Sequence, residues 1–138
     1  MVARSVPRAT LAPVPIVVLR TRAEALPFPD HTFDTVIGTL VFCTIPEPRQ
    51  ALCELQRVSK PAGTALLFEH VRVHHPLAGR LQDWLTPVWE RLAGGCHLNR
   101  DTLALLTQAG FDVTCIEPHY KELFLVIAAQ TSSPPMAP

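Results

Sequence analysis

His70 is the side chain best placed to do chemistry. It follows the apolar run 64–68, and at the carboxyl end of a strand an imidazole of near-neutral pKa can serve a bound molecule as general base or orienting group. A structural histidine is the competing reading. His74 and His75 are adjacent, and adjacent side chains rarely converge, so with no third ligand at helical spacing a metal site is not expected. Cys43, Cys53, Cys96 and Cys115 include no Cys-x-x-Cys pair, which removes zinc-ribbon and redox motifs and leaves reduced thiols, a sign of the cytoplasm. Cys43 lies just past the run 35–42, where it either meets a substrate or packs as a small hydrophobe. Asp34 precedes that run, at the end opposite a ligand crevice, and suits a loop hydrogen bond. No Ser/His/Asp triad or carboxylate pair is legible.

The elements that would position these groups read as α/β. The chain has 138 residues, 48% of them hydrophobic, enough for one globular domain. Twelve basic and twelve acidic side chains cancel, so bulk charge draws the chain to neither nucleic acid nor an anionic membrane and does little to oppose self-association. Residues 15–19 are β-branched and apolar, as in a short buried strand. Leu26-Pro27-Phe28-Pro29 is a rigid loop that sets Phe28 and Phe33 as plugs. The run 35–42 is apolar on both faces, as in a central parallel strand covered by helices on each side. Ala51, Leu52, Leu55 and Val58 recur at helical spacing over 48–58, with Gly63 as the stop near Pro61 and a strand over 64–68.

Downstream, Leu77, Leu81, Trp84, Leu85, Val88 and Leu92 form a helical stripe that Pro87 should split into two short helices. Trp84 and Trp89 then pack in the core or cover a pocket. Asn99 is the expected N-cap of a helix over 100–109 with Leu103 and Leu106 inward. Strands over 111–117 and 122–129 close the domain, and 131–138 reads as a disordered tail. The first 22 residues carry four arginines and no acid, but Pro13 and Pro15 interrupt the run 11–19, which is far short of the ~20 residues that span a bilayer. No transmembrane segment is expected, and the start reads as part of a helix.

The sequence Ala23-Glu24-Ala25-Leu26-Pro27-Phe28-Pro29-Asp30-His31-Thr32-Phe33-Asp34, the apolar run after it, and the helix ending in Lys60-Pro61-Ala62-Gly63 resemble the class I S-adenosylmethionine-dependent methyltransferases of the type 11 group. Glu69-His70-Val71, the tryptophan-bearing segment 81–92 and Gly95-Cys96-His97-Leu98-Asn99-Arg100 look most like the methyltransferase-like group that methylates alkyl thiols. The resemblance implies a Rossmann-like sheet whose order is 3-2-1-4-5-7-6, with this chain supplying its third to seventh strands and flanking helices. It also implies S-adenosylmethionine as cofactor and a small-molecule methyl acceptor. Ala23 and Glu24 would lie beside the adenine, and the backbone of Gly38, Thr39 and Leu40 would line the methionine and sulfonium end. Where many relatives have an aspartate facing the adenine amine, Arg22 stands here, and it can only donate.

No glycine precedes Gly38 and no acid precedes Glu24, so the family's glycine-rich loop and its ribose-binding carboxylate are not among these residues. The chain therefore reads as the C-terminal two-thirds of a methyltransferase domain over 1–130, truncated at its N-terminus, with weak cofactor binding and an inactive isolated chain as expectations. The rival reading is a non-catalytic fragment or subunit that completes its sheet with a partner, and a pseudoenzyme that retains acceptor binding is a third. Vacant places beside the strand over 35–42 should expose a sheet edge and promote self-association.

Overall fold

The computed structural model describes residues 2–131. In chain order they form α1 (Val2–Thr10), β1 (Phe33–Thr39), α2 (Pro48–Val58), β2 (Ser59–His70), α3 (Pro76–Leu92), α4 (Thr102–Gln108), β3 (Phe111–His119) and β4 (Phe124–Thr131). The four strands make one sheet in the order β1-β2-β4-β3. β1 and β2 run parallel, and β4 is antiparallel to both of its neighbours. This matches the 4-5-7-6 portion of the order implied by the resemblance.

Helix α2 follows its apolar spacing residue for residue. Pro48 starts it, and Ala51, Leu52, Leu55 and Val58 are buried. They face β2, where Ala65, Leu67 and Glu69 alternate inward, and β4, where Leu125, Ile127 and Ala129 do the same. Leu106 of α4 completes this layer. Burial of a side chain such as Leu52 or Leu67, each almost wholly removed from solvent, stabilises the fold by about 1.5–3 kcal/mol. The helix ends at Val58, because Ser59 is already extended and its hydroxyl bonds back to the Leu55 carbonyl at 2.7 Å.

Gly63 is not the stop that the sequence suggested. β2 begins at Ser59, and the left-handed residue in the turn between Lys60 and Thr64 is Ala62, at φ 58°. What Gly63 provides is room: a Cβ there would lie 2.8 Å from the Lys60 carbonyl oxygen and 3.3 Å from that of Asp34. The close approach lets β1 and β2 pass from the pair Phe33↔Ser59 to Thr35↔Thr64. Asp34 ends up at this amino-terminal edge, bonded through both oxygens to Lys60 at 2.8 and 2.9 Å, in the structural role expected of it.

Other expectations fail for physical reasons. Residues 15–19 form no strand. Ile16, Val17 and Leu19 are exposed, Val17 to 82%, since a short run after two prolines gains nothing from extension unless a neighbouring edge pairs with it. The helix over 76–92 is continuous through Pro87, with the Thr86 hydroxyl donating to the Gln82 carbonyl at 2.7 Å one residue before it. Its apolar stripe faces outward: Leu77, Trp84, Val88 and Leu92 are exposed, Trp84 to 75%, while Gly79, Gln82 and Thr86 are its buried side. Helical periodicity identified a face but not its direction. Only one face of the sheet is covered by helices among the described residues, and Ile37 and Leu66 on the other are exposed.

Helix α4 starts at Thr102, capped by Asp101, whose carboxylate accepts from the Ala104 N–H at 2.9 Å. Asn99, the expected cap, instead donates to Asp83 at 3.0 Å. Strands β3 and β4 overrun the limits read from sequence and reach His119 and Thr131. The expected tail lies outside the described residues except for Thr131 itself, which is buried and ends β4.

Candidate functional site

Parallel strands bring their carboxyl ends to one edge of the sheet, where open α/β folds bind ligands. β1 ends here because Leu40 turns left-handed, at φ 53°, after its N–H makes a last bond to the Phe68 carbonyl at 2.8 Å. The loop that follows is held from two sides. Glu69, fully buried on β2, accepts from the N–H groups of Val41 at 2.8 Å, Phe42 at 3.1 Å and Cys43 at 3.2 Å. Arg100 donates to the carbonyls of Phe42 and Ile45, both at 2.6 Å. Burial lowers the Arg100 pKa from its usual value, and the neighbouring Cys43, Cys96, Glu69 and Glu90 oppose the shift. An anion that takes N–H groups and a cation that takes carbonyls thus fix residues 40–45 between them.

Against this loop lies a cavity of about 470 Å³. Leu40, Cys43 and Thr44 supply one wall and His70 the floor; Gln82 and Trp89 of α3, Cys96, Leu98, Leu123 and Phe124 close it. Gln82 fastens α3 in place: its amide oxygen accepts from Val73 at 2.8 Å, and its nitrogen donates to the Val71 and Leu98 carbonyls at 3.1 and 3.0 Å. His70 is 8% exposed, packs edge-on against Phe124 at 5.4 Å, and its Nδ1 has no partner. Burial lowers its pKa, which favours the neutral imidazole at physiological pH. Burial likewise pushes the Cys43 thiol up to about 11, so Cys43 is protonated.

The other residues singled out in the sequence divide between this cavity and a narrower cleft. Ala23 and Gly38 both line an apolar cleft of about 160 Å³ beside β1 and α2. A Cβ on Gly38 would lie 2.8 Å from Leu67 Cδ2, so its lack of a side chain accommodates the neighbouring strand. Leu40 faces the larger cavity, and Thr39 is exposed between the two. Glu24 is buried rather than solvated, with Arg22 at 3.6 Å and one oxygen unpartnered. Its own backbone N–H, then Arg22 and the Glu47 N–H, hold its carboxyl below the usual range against the opposing effect of burial. Trp89 lines the cavity, and Trp84 does not. A more open hollow of about 420 Å³ at the opposite end of the sheet includes Arg57 and Lys60, but both are already paired with carboxylates.

Sequence reasoning quoted Glu69 and Arg100 only as parts of motifs and gave neither a role. A signal was present for Glu69: it continues the inward alternation Ala65, Leu67, Glu69, where a charge must find partners. Among the described residues no His, Cys, Asp or Glu cluster could hold a metal ion, and no helix is long and apolar enough to cross a membrane.

The sheet order, the crevice at the ends of two parallel strands and the clamped loop after β1 define a Rossmann-like methyltransferase fold. A methyltransferase of Methanosarcina mazei superposes with a TM-score of 0.71 at 18% identity, over 96% of this chain and 78% of that one. Residues 1–67 match the family described as Methyltransferase domain. Rat thiol S-methyltransferase TMT1B is 37% identical over 91 residues, which is 64% of this chain and 36% of the relative. Human TMT1A is 34% identical over 83 residues, covering 59% and 34%. The chain is thus similar in sequence to methyltransferases over part of its length and shares their fold, and it spans about a third of the length of these curated relatives.

Glu24 offers a buried oxygen without a partner, able to accept from an amine, and Ala23 and Gly38 offer an apolar wall. Gly38, Thr39 and Leu40 lead from that wall to the larger cavity.

Proposed function

We propose that this chain forms the acceptor side of a site for methyl transfer from S-adenosylmethionine to a small apolar molecule, with alkyl thiols as the acceptor class. One observation carries the reading: an apolar cavity at the carboxyl end of β2 is lined by His70, a buried imidazole whose Nδ1 has no partner. The named activity of the TMT1 relatives and the likeness around Glu69-His70-Val71 support the choice of thiol. Zero net charge supports a small acceptor over a nucleic acid, and four unpaired cysteines suit the cytoplasm.

When bound, the cofactor supplies an electrophilic methyl group. The protein's part is placement: Leu40, Trp89 and Phe124 exclude water, the clamped loop sets the distance to the acceptor, and neutral His70 takes the proton from the acceptor thiol. Alignment of this kind is the main contribution that a direct displacement needs. Ala23, Glu24, Gly38, Thr39 and Leu40 would contact the cofactor.

The test is methyl transfer to a panel of thiol, hydroxyl and amine acceptors of matched alkyl length. It uses the chain alone and a chimera in which the part of rat TMT1B preceding the matched region is fused before Met1. Thiol methylation by the chimera, reduced at least tenfold by His70→Gln, is the expected outcome. A folded chimera that methylates oxygen or nitrogen but no thiol overturns the acceptor assignment.

A specific observation favours self-association as well. Among the described residues β1 is an edge strand with an unpaired outer side, and Ile37 on it is 71% exposed beside an uncovered sheet face. Such an edge recruits a second chain. Sedimentation should find dimers or larger species, and a monodisperse monomer would refute this.

A further inference from the structure

Two of the four cysteines converge on the cavity. Cys43 reaches it from the loop after β1 and Cys96 from the segment that follows α3, whereas Cys53 and Cys115 are exposed elsewhere. The main chains that carry the pair are tied together one residue away, where the His97 N–H donates to the Cys43 carbonyl at 2.8 Å. That bond brings the two backbones close together, and the two thiols are near enough to affect each other. Cys43 is 3% exposed and Cys96 half-buried, so an oxidant meets Cys96 first.

We propose that Cys43 and Cys96 form a dithiol modification site, closed to an intramolecular disulfide by hydrogen peroxide. Cys96 sulfur attacks one peroxide oxygen and the O–O bond breaks, which leaves a sulfenic acid and releases one water. Cys43 sulfur then displaces the hydroxyl from that sulfur. The S–S bond forms, and the hydroxyl leaves with the Cys43 proton as a second water. Two thiols lose two electrons and one peroxide gains them. Burial, and next to it the neighbouring Cys96, keep Cys43 protonated at rest; it therefore resists direct oxidation and acts as the resolving partner. The bridge fastens residues 40–45 to the segment around Cys96 and withdraws both sulfurs from the cavity wall.

The test treats the whole chain, carrying Cys53→Ser and Cys115→Ser, with hydrogen peroxide and maps its peptides without reduction. An intact mass lower by two hydrogens, a linked Cys43–Cys96 peptide and full reversal by dithiothreitol are expected. Cys96→Ser should abolish the link while its melting curve shows that the chain still folds, which covers the chance that Cys43→Ser does not. Accumulation of Cys96 sulfinic acid without a link overturns the proposal, as does a chain that keeps both thiols after peroxide. Because the readout is a mass, it fails or succeeds independently of the methyl-transfer reading.

Discussion

Replacing Glu69 by glutamine changes one atom of a side chain that solvent does not reach, and it should cost much of the fold's stability. The two carboxylate oxygens accept three N–H bonds, from Val41 and Phe42 at Oε1 and from Cys43 at Oε2. A glutamine can keep its oxygen toward Val41 and Phe42, but its amide then turns a donor toward the Cys43 N–H. One hydrogen bond to a charged group is lost, worth about 1.5–3 kcal/mol, and a buried donor is left unsatisfied. We expect Glu69→Gln to destabilise the chain by roughly 2–3 kcal/mol, seen as a fall in melting temperature of about 6–12 °C by circular dichroism. Glu69→Leu strands all three donors and should fall further. If Glu69→Gln melts within about 1 °C of the parent, or if the leucine variant is the milder of the two, the carboxylate does not hold the loop and the clamp described above is wrong.

Other consequences follow from equally local observations. Leu52→Ala, at a position with no exposed surface, should cost about 2–5 kcal/mol in urea unfolding; a loss under 1 kcal/mol would place Leu52 outside the core. Gly63→Ala must push a methyl toward the Lys60 carbonyl at 2.8 Å and should lower stability by about 1–3 kcal/mol, and a neutral result would show that the turn can relax. Trp84→Gln should leave the unfolding free energy within about 0.5 kcal/mol, as for other exposed sites, because Trp84 is 75% exposed; a cost above 2 kcal/mol would mean that the α3 stripe packs inward. Arg57, and after it the Leu26 N–H, hold Glu54 at about 2, below its ordinary 4.5. A carboxyl lowered in the folded state stabilises above its unfolded value, so this contribution is complete above pH 4.5 and is lost as the pH falls toward 2. Glu54→Gln should flatten the acid limb over that window, and an unchanged limb would refute the pairing.

The sequence was most legible where one local rule governed. Helix α2 appeared with its limits intact because proline, apolar spacing and a change to extended residues all agree over Pro48–Val58. The run 15–19 misled because β-branched composition describes a strand only if an edge is there to pair with it. Asn99 and Asp101 are both good caps by type, and only the tertiary position of Asp83, which draws Asn99 away, decides between them. The stripe on α3 was read correctly as a stripe, but its direction depends on Gln82, whose three bonds to Val71, Val73 and Leu98 turn the polar side of the helix inward.

The candidate site divides along the same line. Gly38, Leu40 and His70 were visible because strand ends are local features, and the fold's parallel pair brings those ends to one edge. Glu69 and Arg100 were not visible as a unit, because the loop that they hold lies 26–28 residues from Glu69 and 55–58 from Arg100. Their effects are coupled through one short segment. The carboxylate satisfies its N–H groups and the guanidinium its carbonyls, so neither charge is buried without a partner. That leaves the cavity side of residues 40–44 free to be lined by Leu40, Cys43 and Thr44. The apolar character of the cavity thus depends on two charges placed behind its wall, so a change to either should disturb the cavity lining together with the stability of the fold.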